Sequence, residues 1–240
     1  MNILIAHDYE DLSAQAAELV VEQIKNNPET VLGLPTGKTP LGLYRRLAEA
    51  YRSGRVSFAR VKTFNLDDYV GVPRTCQDSF YAYMKKNLFG QVDIKPENIF
   101  LLDGTAANLS DECANYERHL DEVGGLDLAI LGIGLDGHLA FCEPGTSFYT
   151  RTLAVDLAES TRQANAADLL ELAETPPRAV TIGLGTLMKS RRLLLLASGA
   201  AKAAIVARAL HGAISEQVPA SILQTHSDVT AILDQAAAGQ

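Results

Sequence analysis

Short apolar runs alternate with longer segments of helical spacing along the whole chain. Ile3-Leu4-Ile5 precedes Ser13 to Ile24, where apolar residues recur at three- and four-residue intervals among Ala and Glu. Val31-Leu32-Gly33-Leu34 leads into the turn Pro35-Thr36-Gly37. Pro40 then stands at a first-turn helix position, and Leu41 to Tyr51 carries helical spacing. Val61 to Leu66, Asn98 to Leu102 and Leu126 to Ile133 read as strands, with a polar-faced helix from Leu109 to Val123 between the last two. Ala179 to Ile182 and Arg192 to Ala197 read as further buried strands, Ala200 to His211 as a helix, and Val229 to Leu233 as the closing strand. Strands apolar along their whole length are buried on both faces. Their alternation with helices predicts an α/β fold, an open, mostly parallel Rossmann-like sheet with helices on both faces. No repeat, low-complexity linker or charge block interrupts the pattern, so residues 1–240 are expected to form one domain. A mobile lid is expected near 152–177, where Ala, Asp and Glu crowd ahead of Pro176-Pro177.

Composition narrows the class. With 47% hydrophobic and 21% charged residues among 240, the chain can bury enough surface to offset its conformational entropy, which excludes disorder. Lys and Arg number 21 against 29 Asp and Glu, a net charge of −8 that argues against a nucleic-acid partner. It leaves room for a small anion, because a few local cations can dominate a pocket. Cys76, Cys113 and Cys142 are odd in number and form no CxxC pair, so neither a disulfide framework nor a zinc site is expected. No apolar stretch approaches the ~18 residues of a membrane span, and the first apolar run lacks the basic flank of a signal peptide. A soluble, cytoplasmic protein without a membrane partner is expected.

In open parallel sheets ligands bind outside the carboxyl ends of the strands, so polar residues there carry the most weight. Thr36, Gly37, Lys38 and Thr39 lie between a strand and a helix start, where free N–H groups and two hydroxyls suit a phosphate. A plain Gly/Pro turn is the competing reading, and the upstream glycine of a nucleotide-binding P-loop is missing. In Phe64-Asn65-Leu66-Asp67-Asp68-Tyr69, Asp67 is a candidate proton-transfer base, against the alternative of a cap or solvated loop. Leu131 to Gly145 sets glycines around Asp136 and His138, with Glu143 beyond; flanking carboxylates are placed to tune an imidazole. Metal ligation by that trio is the minor alternative, since no second histidine is near in sequence. Arg162, after Ser160-Thr161, and Lys202, after Ser198-Gly199, are candidate anion-binding cations.

Leu-Gly-Leu-Pro-Thr-Gly-x-Thr-Pro, Phe-Asn-Leu-Asp-Asp-Tyr, Gly-Ile-Gly-x-Asp-Gly-His-x-Ala-Phe-x-Glu-Pro-Gly, Thr161-Arg162-Gln163-Ala164-Asn165 and Ser198-Gly199-x-x-Lys202-Ala203 occur in that order. Together they resemble the glucosamine-6-phosphate deaminase family along nearly the whole chain. The related 6-phosphogluconolactonases share Gly-x-Asp-Gly-His but continue differently after the histidine; Leu-Ala-Phe-Cys-Glu-Pro-Gly is the deaminase form. The resemblance implies a hydrolase acting on an amino-sugar phosphate, without metal or cofactor: glucosamine 6-phosphate plus water giving fructose 6-phosphate plus ammonia. It implies ring opening by His138 with Asp136 and Glu143, proton transfer by Asp67, and phosphate binding by the 36–39 loop, Arg162 and Lys202. It also implies a monomer or small homo-oligomer without allosteric activation. Lys38 stands where the family has a small residue, Cys142 where it has Asn, and Ala-Ala-Asp-Leu-Leu follows Asn165 in place of an aromatic run. Those departures leave a galactosamine 6-phosphate substrate as an alternative, beside a lactone hydrolase and a non-catalytic sugar-phosphate sensor.

Overall fold

The computed structural model describes residues 1–167 and 169–240. Strand β1 (Asn2–Ala6) is followed by helix α1 (Tyr9–Asn26), whose start is capped by the Asp8 carboxylate accepting from the Asp11 N–H. Then come β2 (Val31–Leu34), α2 (Leu41–Arg52), β3 (Lys62–Asn65), β4 (Asp67–Tyr69), α3 (Phe80–Asn87), β5 (Ile99–Phe100), α4 (Leu109–Glu122) and β6 (Leu128–Leu131). The remainder is β7 (Leu153–Asp156), α5 (Glu159–Ala166), β8 (Arg178–Thr181), α6 (Leu184–Leu187), β9 (Arg192–Ala197), α7 (Ala203–His211) and β10 (Val229–Asp234).

Seven strands form a parallel sheet in the order β1-β10-β9-β6-β2-β3-β5. The double-sided burial expected from the apolar runs follows from strand alternation. In β9, Leu193, Leu195 and Ala197 face one core, whereas Leu194 and Leu196 face the other. The first core also takes Tyr116 and Leu120 from α4 and Ile205 and Ala209 from α7; the second takes Leu12 and Val20 from α1 and Leu43 and Leu47 from α2.

A second sheet, antiparallel and three-stranded in the order β4-β8-β7, is absent from the sequence reading. It takes up Ala179 to Thr181, expected as a strand of the main sheet. The segment 152–177 holds β7 and α5, and Asp78 accepts N–H bonds from Leu170, Glu171 and Leu172 within it. Residue 168 of the expected lid lies outside the described residues. No helix among the described residues is long and apolar enough to cross a membrane.

Candidate active site

Four of the motifs singled out in the sequence emerge from adjacent strands. In the order β9-β6-β2-β3, the segments past the carboxyl ends carry Ser198 to Lys202, Gly132 to Glu143, Pro35 to Thr39, and Asp67. Parallel strands place those ends on one side of the sheet, which is where such folds bind ligands.

The β6 loop is shaped by glycine. A Cβ at Gly134 would lie 2.3 Å from Nδ1 of His138, so only glycine lets the imidazole pack against the loop backbone. The N–H of Gly134 donates to the His138 carbonyl at 3.0 Å, closing the loop. Ala140 takes φ +50°, a strained value for a residue with a side chain. Nδ1 of His138 lies 2.8 Å from Oδ1 of Asp136, a close contact whose direction is poor for a hydrogen bond. The same carboxylate oxygen accepts the His138 backbone N–H at 3.1 Å. Burial pushes the Asp136 carboxyl up, but the His138 contacts outweigh it and hold it below the usual aspartate range. Glu143 reaches elsewhere: its two carboxylate oxygens accept the Ala158 N–H at 3.0 and 2.9 Å, at the start of α5. Among the described residues its hydrogen bond goes to this helix start and not to the imidazole.

Asp67 is 7% exposed and its carboxylate makes no hydrogen bond to the described residues. Burial, with the neighbouring Asp68 charge adding to it, pushes its pKa up to about 8. Asp68 is also buried and is pushed up to about 7, although it accepts the Tyr69 N–H at 2.8 Å. Its carboxylate therefore serves the backbone, while that of Asp67 has no hydrogen-bond partner among the described residues. The β6 loop docks beside this strand: the N–H of Phe141 donates to Oγ1 of Thr181, the residue paired with Asp67 across β4 and β8. Cys142 Sγ donates to the Ile182 carbonyl at 3.3 Å, and burial pushes its thiol up to about 12, so the departure from Asn supplies a buried packing group.

The ammonium of Lys202 donates to the Ile133 carbonyl at 2.6 Å. Burial lowers its pKa, partly opposed by the Asp136 charge. This cation and the Asp136–His138 pair are thus brought together. Arg162 is not drawn into the same contact set. Its guanidinium bonds the Thr175 carbonyl, Glu159 and Glu174. The 36–39 loop turns through Gly37 at φ +95°, with nothing within 4 Å of where a Cβ would stand. A cavity of about 720 Å³ joins Lys38 and Thr39 to Ser198, with Arg45, Arg52 and Lys86 on its walls. Asp67 and His138 do not line it, so it takes in part of the candidate phosphate loop and not the catalytic candidates. Among the described residues no three His, Cys, Asp or Glu side chains cluster so as to hold a metal ion. Tyr9, Tyr44 and Tyr83, which bond carbonyls of residues 35–39, carry no sequence signal; their contacts span 9 to 46 residues.

The model of the family of glucosamine-6-phosphate isomerases and 6-phosphogluconolactonases matches residues 7–232. The chain belongs to this family. Within it, the glucosamine-6-phosphate deaminase of Thermoanaerobacter sp. (strain X514) is 44% identical over 238 residues, 99% of this chain and 94% of that one. That of Clostridioides difficile (strain 630) is 45% identical over 240 residues, 100% of this chain and 96% of the relative. A solved structure described as a monomeric glucosamine-6-phosphate deaminase superposes with a TM-score of 0.97 at 44% identity, covering 100% of this chain and 99% of that one. The 6-phosphogluconolactonase of Trypanosoma cruzi, at 21% identity and a TM-score of 0.81, shares the fold. The full-length relatives carry the name deaminase and match the isomerase half of the family's description, so isomerase-type deaminase replaces the expected label of hydrolase.

Proposed function

We propose that this chain is a glucosamine-6-phosphate deaminase, converting glucosamine 6-phosphate and water to fructose 6-phosphate and ammonia. The observation that carries the reading is the convergence of the four motifs on the carboxyl ends of the adjacent strands β9, β6, β2 and β3. The 44–45% identity to deaminases over nearly the full length supports the substrate.

The chemistry follows from the groups present. The sugar ring must open, which moves a proton from the C1 hydroxyl to the ring oxygen. His138 suits that task, because Asp136 sits against Nδ1 and leaves Nε2 as the exchanging nitrogen. The open-chain aldehyde then loses its C2 proton to a carboxylate, giving an enolamine. The same carboxylate returns the proton to C1 on the same face. Asp67, with no hydrogen bond to the described residues and with a raised pKa, is a stronger base than an ordinary aspartate. Burial also keeps most of it protonated at neutral pH, until the substrate's C2 ammonium enters beside it and favours the ionised form. Water adds to the resulting C2 imine, ammonia leaves, and the C2 ketone remains. The 36–39 loop, Lys202 and Arg162 would hold the phosphate, so that binding energy remote from the reacting carbons fixes their position. Arg162 would have to exchange at least one of its glutamate contacts to do so. Glu143 would couple the β6 loop to α5 and thus to the segment 152–177, read as a lid on one domain. A monomer or small homo-oligomer in the cytoplasm is the accompanying reading.

Ammonia and fructose 6-phosphate are to be measured from glucosamine 6-phosphate with EDTA present and no metal added. Equimolar release of both is expected. Absence of turnover on this substrate, with turnover on the galacto epimer or on the phosphogluconolactone, would overturn the assignment.

A further inference from the structure

We propose that Tyr9, Tyr44 and Tyr83 are positioning residues for the substrate phosphate: a clamp of three hydroxyls that turns the amides of the 36–39 loop towards the ligand. The proposal rests on the reading of that loop as the phosphate site. The three side chains come from three helices, α1, α2 and α3. Each ends on a backbone carbonyl of the loop. Tyr44 Oη donates to Pro35 at 2.5 Å and Tyr83 Oη to Gly37 at 2.6 Å. The Tyr9 hydroxyl lies 3.1 Å from both the Lys38 and Thr39 carbonyls and shares its one proton between them, while accepting the Gly42 N–H at 2.8 Å.

The consequence lies in the geometry of the peptide unit. A trans peptide is planar, and its C=O and the N–H of the next residue point in opposite directions. Fixing the carbonyls of Pro35, Gly37 and Lys38 therefore fixes the N–H groups of Thr36, Lys38 and Thr39 away from the tyrosines. The N–H groups of Thr36, Gly37 and Thr39 donate to no acceptor among the described residues. The amides of Thr36 and Thr39 are thus both oriented and unspent, and such amides beside a helix start suit an anion. That arrangement is expensive to hold open without a scaffold, because an unrestrained loop of this composition would rotate its peptides to bond itself or water. The clamp is itself braced. Tyr44 is fully buried, and its ring meets that of Tyr83 edge to face at 6.5 Å. Gly42 is held close to Tyr9, since a Cβ there would lie 3.1 Å from Tyr9 Oη and 2.2 Å from Ser13 Oγ.

The test uses the hydroxyl-deleting variants Tyr83→Phe and Tyr9→Phe, which keep the rings and avoid the buried Tyr44. Competitive inhibition by inorganic phosphate is measured for each beside Lys202→Ala and the control Tyr81→Phe, with kcat and KM for glucosamine 6-phosphate. About a three- to tenfold rise in the phosphate inhibition constant and in KM, with kcat within about twofold and the control unchanged, is expected for each loss of a hydroxyl–carbonyl bond. If Lys202→Ala weakens phosphate inhibition and neither tyrosine variant does, the clamp is refuted while the phosphate site stands. If Lys202→Ala has no effect either, the reading of the site fails and takes the clamp with it. A fall in thermal stability with unchanged phosphate inhibition would assign the hydroxyls to folding alone, and the proposal would be overturned.

Discussion

Replacing Asp67 by Asn should abolish turnover and stabilise the protein, with the stabilisation depending on pH in a calculable way. Asp67 is buried and its pKa is raised from the ordinary 3.8 to about 8, so the fold holds its proton more tightly than the unfolded chain does. A group of this kind costs nothing below pH 3.8, where both states are protonated. Its penalty grows as pH rises and levels off above about 8, where both are ionised. Each pH unit within that window is worth about 1.4 kcal/mol. At pH 7 the window has opened by about three units, which sets a ceiling of roughly 4 kcal/mol. The amide of Asn does not titrate, so the variant escapes this penalty. Its buried amide lacks a hydrogen-bond partner just as the protonated carboxyl does, so that cost largely cancels. The net gain at pH 7 is then up to roughly 4 kcal/mol.

The assay is urea unfolding of wild type and Asp67→Asn at unit steps from pH 4 to 9. The stability difference should favour the variant increasingly, by up to about 1.4 kcal/mol per unit, and flatten near pH 8. A difference that stays constant across the series would refute the argument, because it would mean that Asp67 titrates alike in the folded and unfolded chains. Catalysis should follow the same titration in reverse. The ionised form is the base, so kcat/KM of the wild type should rise with pH towards about 8.

Asp68→Asn removes the like charge that helps to raise Asp67, so the acidic limb of kcat/KM should move to lower pH; an unmoved limb counts against the coupling. Lys202→Ala should raise KM by about 10- to 100-fold through loss of a charge-assisted contact, with a smaller effect on kcat, read from initial rates. Gly134→Ala pushes a methyl to within 2.3 Å of the His138 ring, so kcat should fall at least about tenfold while circular dichroism stays unchanged; wild-type kcat would show that the ring position is unimportant. Thr181→Val leaves the Phe141 N–H without its buried acceptor and should lower stability by about 1–3 kcal/mol, together with kcat, in thermal and kinetic measurements.

The main sheet was legible because its central strands are apolar on both faces. Arg192–Ala197 and Val229–Asp234 match their predicted extents within a residue, and β6 lies inside the predicted run from Leu126 to Ile133. The second sheet was not legible. Its partners β7 and β8 are separated by more than twenty residues, and hydrophobic periodicity reports burial but not the strand against which a segment pairs. For the same reason Val61 to Leu66 read as one strand, although pairing within the main sheet ends at Asn65 and the chain resumes as β4 in the other sheet. The site residues stood out because Gly, Asp and His crowd at strand ends, where glycine backbone freedom and polar side chains are not needed for packing. What failed to show was connectivity between them. Glu143 and His138 are five residues apart in sequence, yet Glu143 bonds a helix start fifteen residues further on. The tyrosine hydroxyls gave no signal, since hydrophobic spacing counts a tyrosine as an apolar position and does not report where its hydroxyl ends.

The change of sheet that the sequence concealed is also what makes a buried base possible. Leu66 belongs to both sheets: its N–H donates to Leu34 of β2, and its carbonyl accepts the N–H of Ile182, just past β8. Asp67 follows immediately and pairs with Thr181. The backbone on either side of the carboxylate is thereby held by two separate hydrogen-bond ladders, which resist the local rearrangement that would let an unpaired charge escape to water. The β6 loop is referred to the same two residues, through Phe141 to Thr181 and Cys142 to Ile182. The separation between the candidate base and the candidate ring-opening histidine is consequently set by one short stretch of β8. A reaction that needs one group at the ring oxygen and another across C1 and C2 requires a fixed separation of this kind. The penalty for burying Asp67 is carried by the strands that fix its position, which is why removing the charge should stabilise the fold while removing the Thr181 hydroxyl should not.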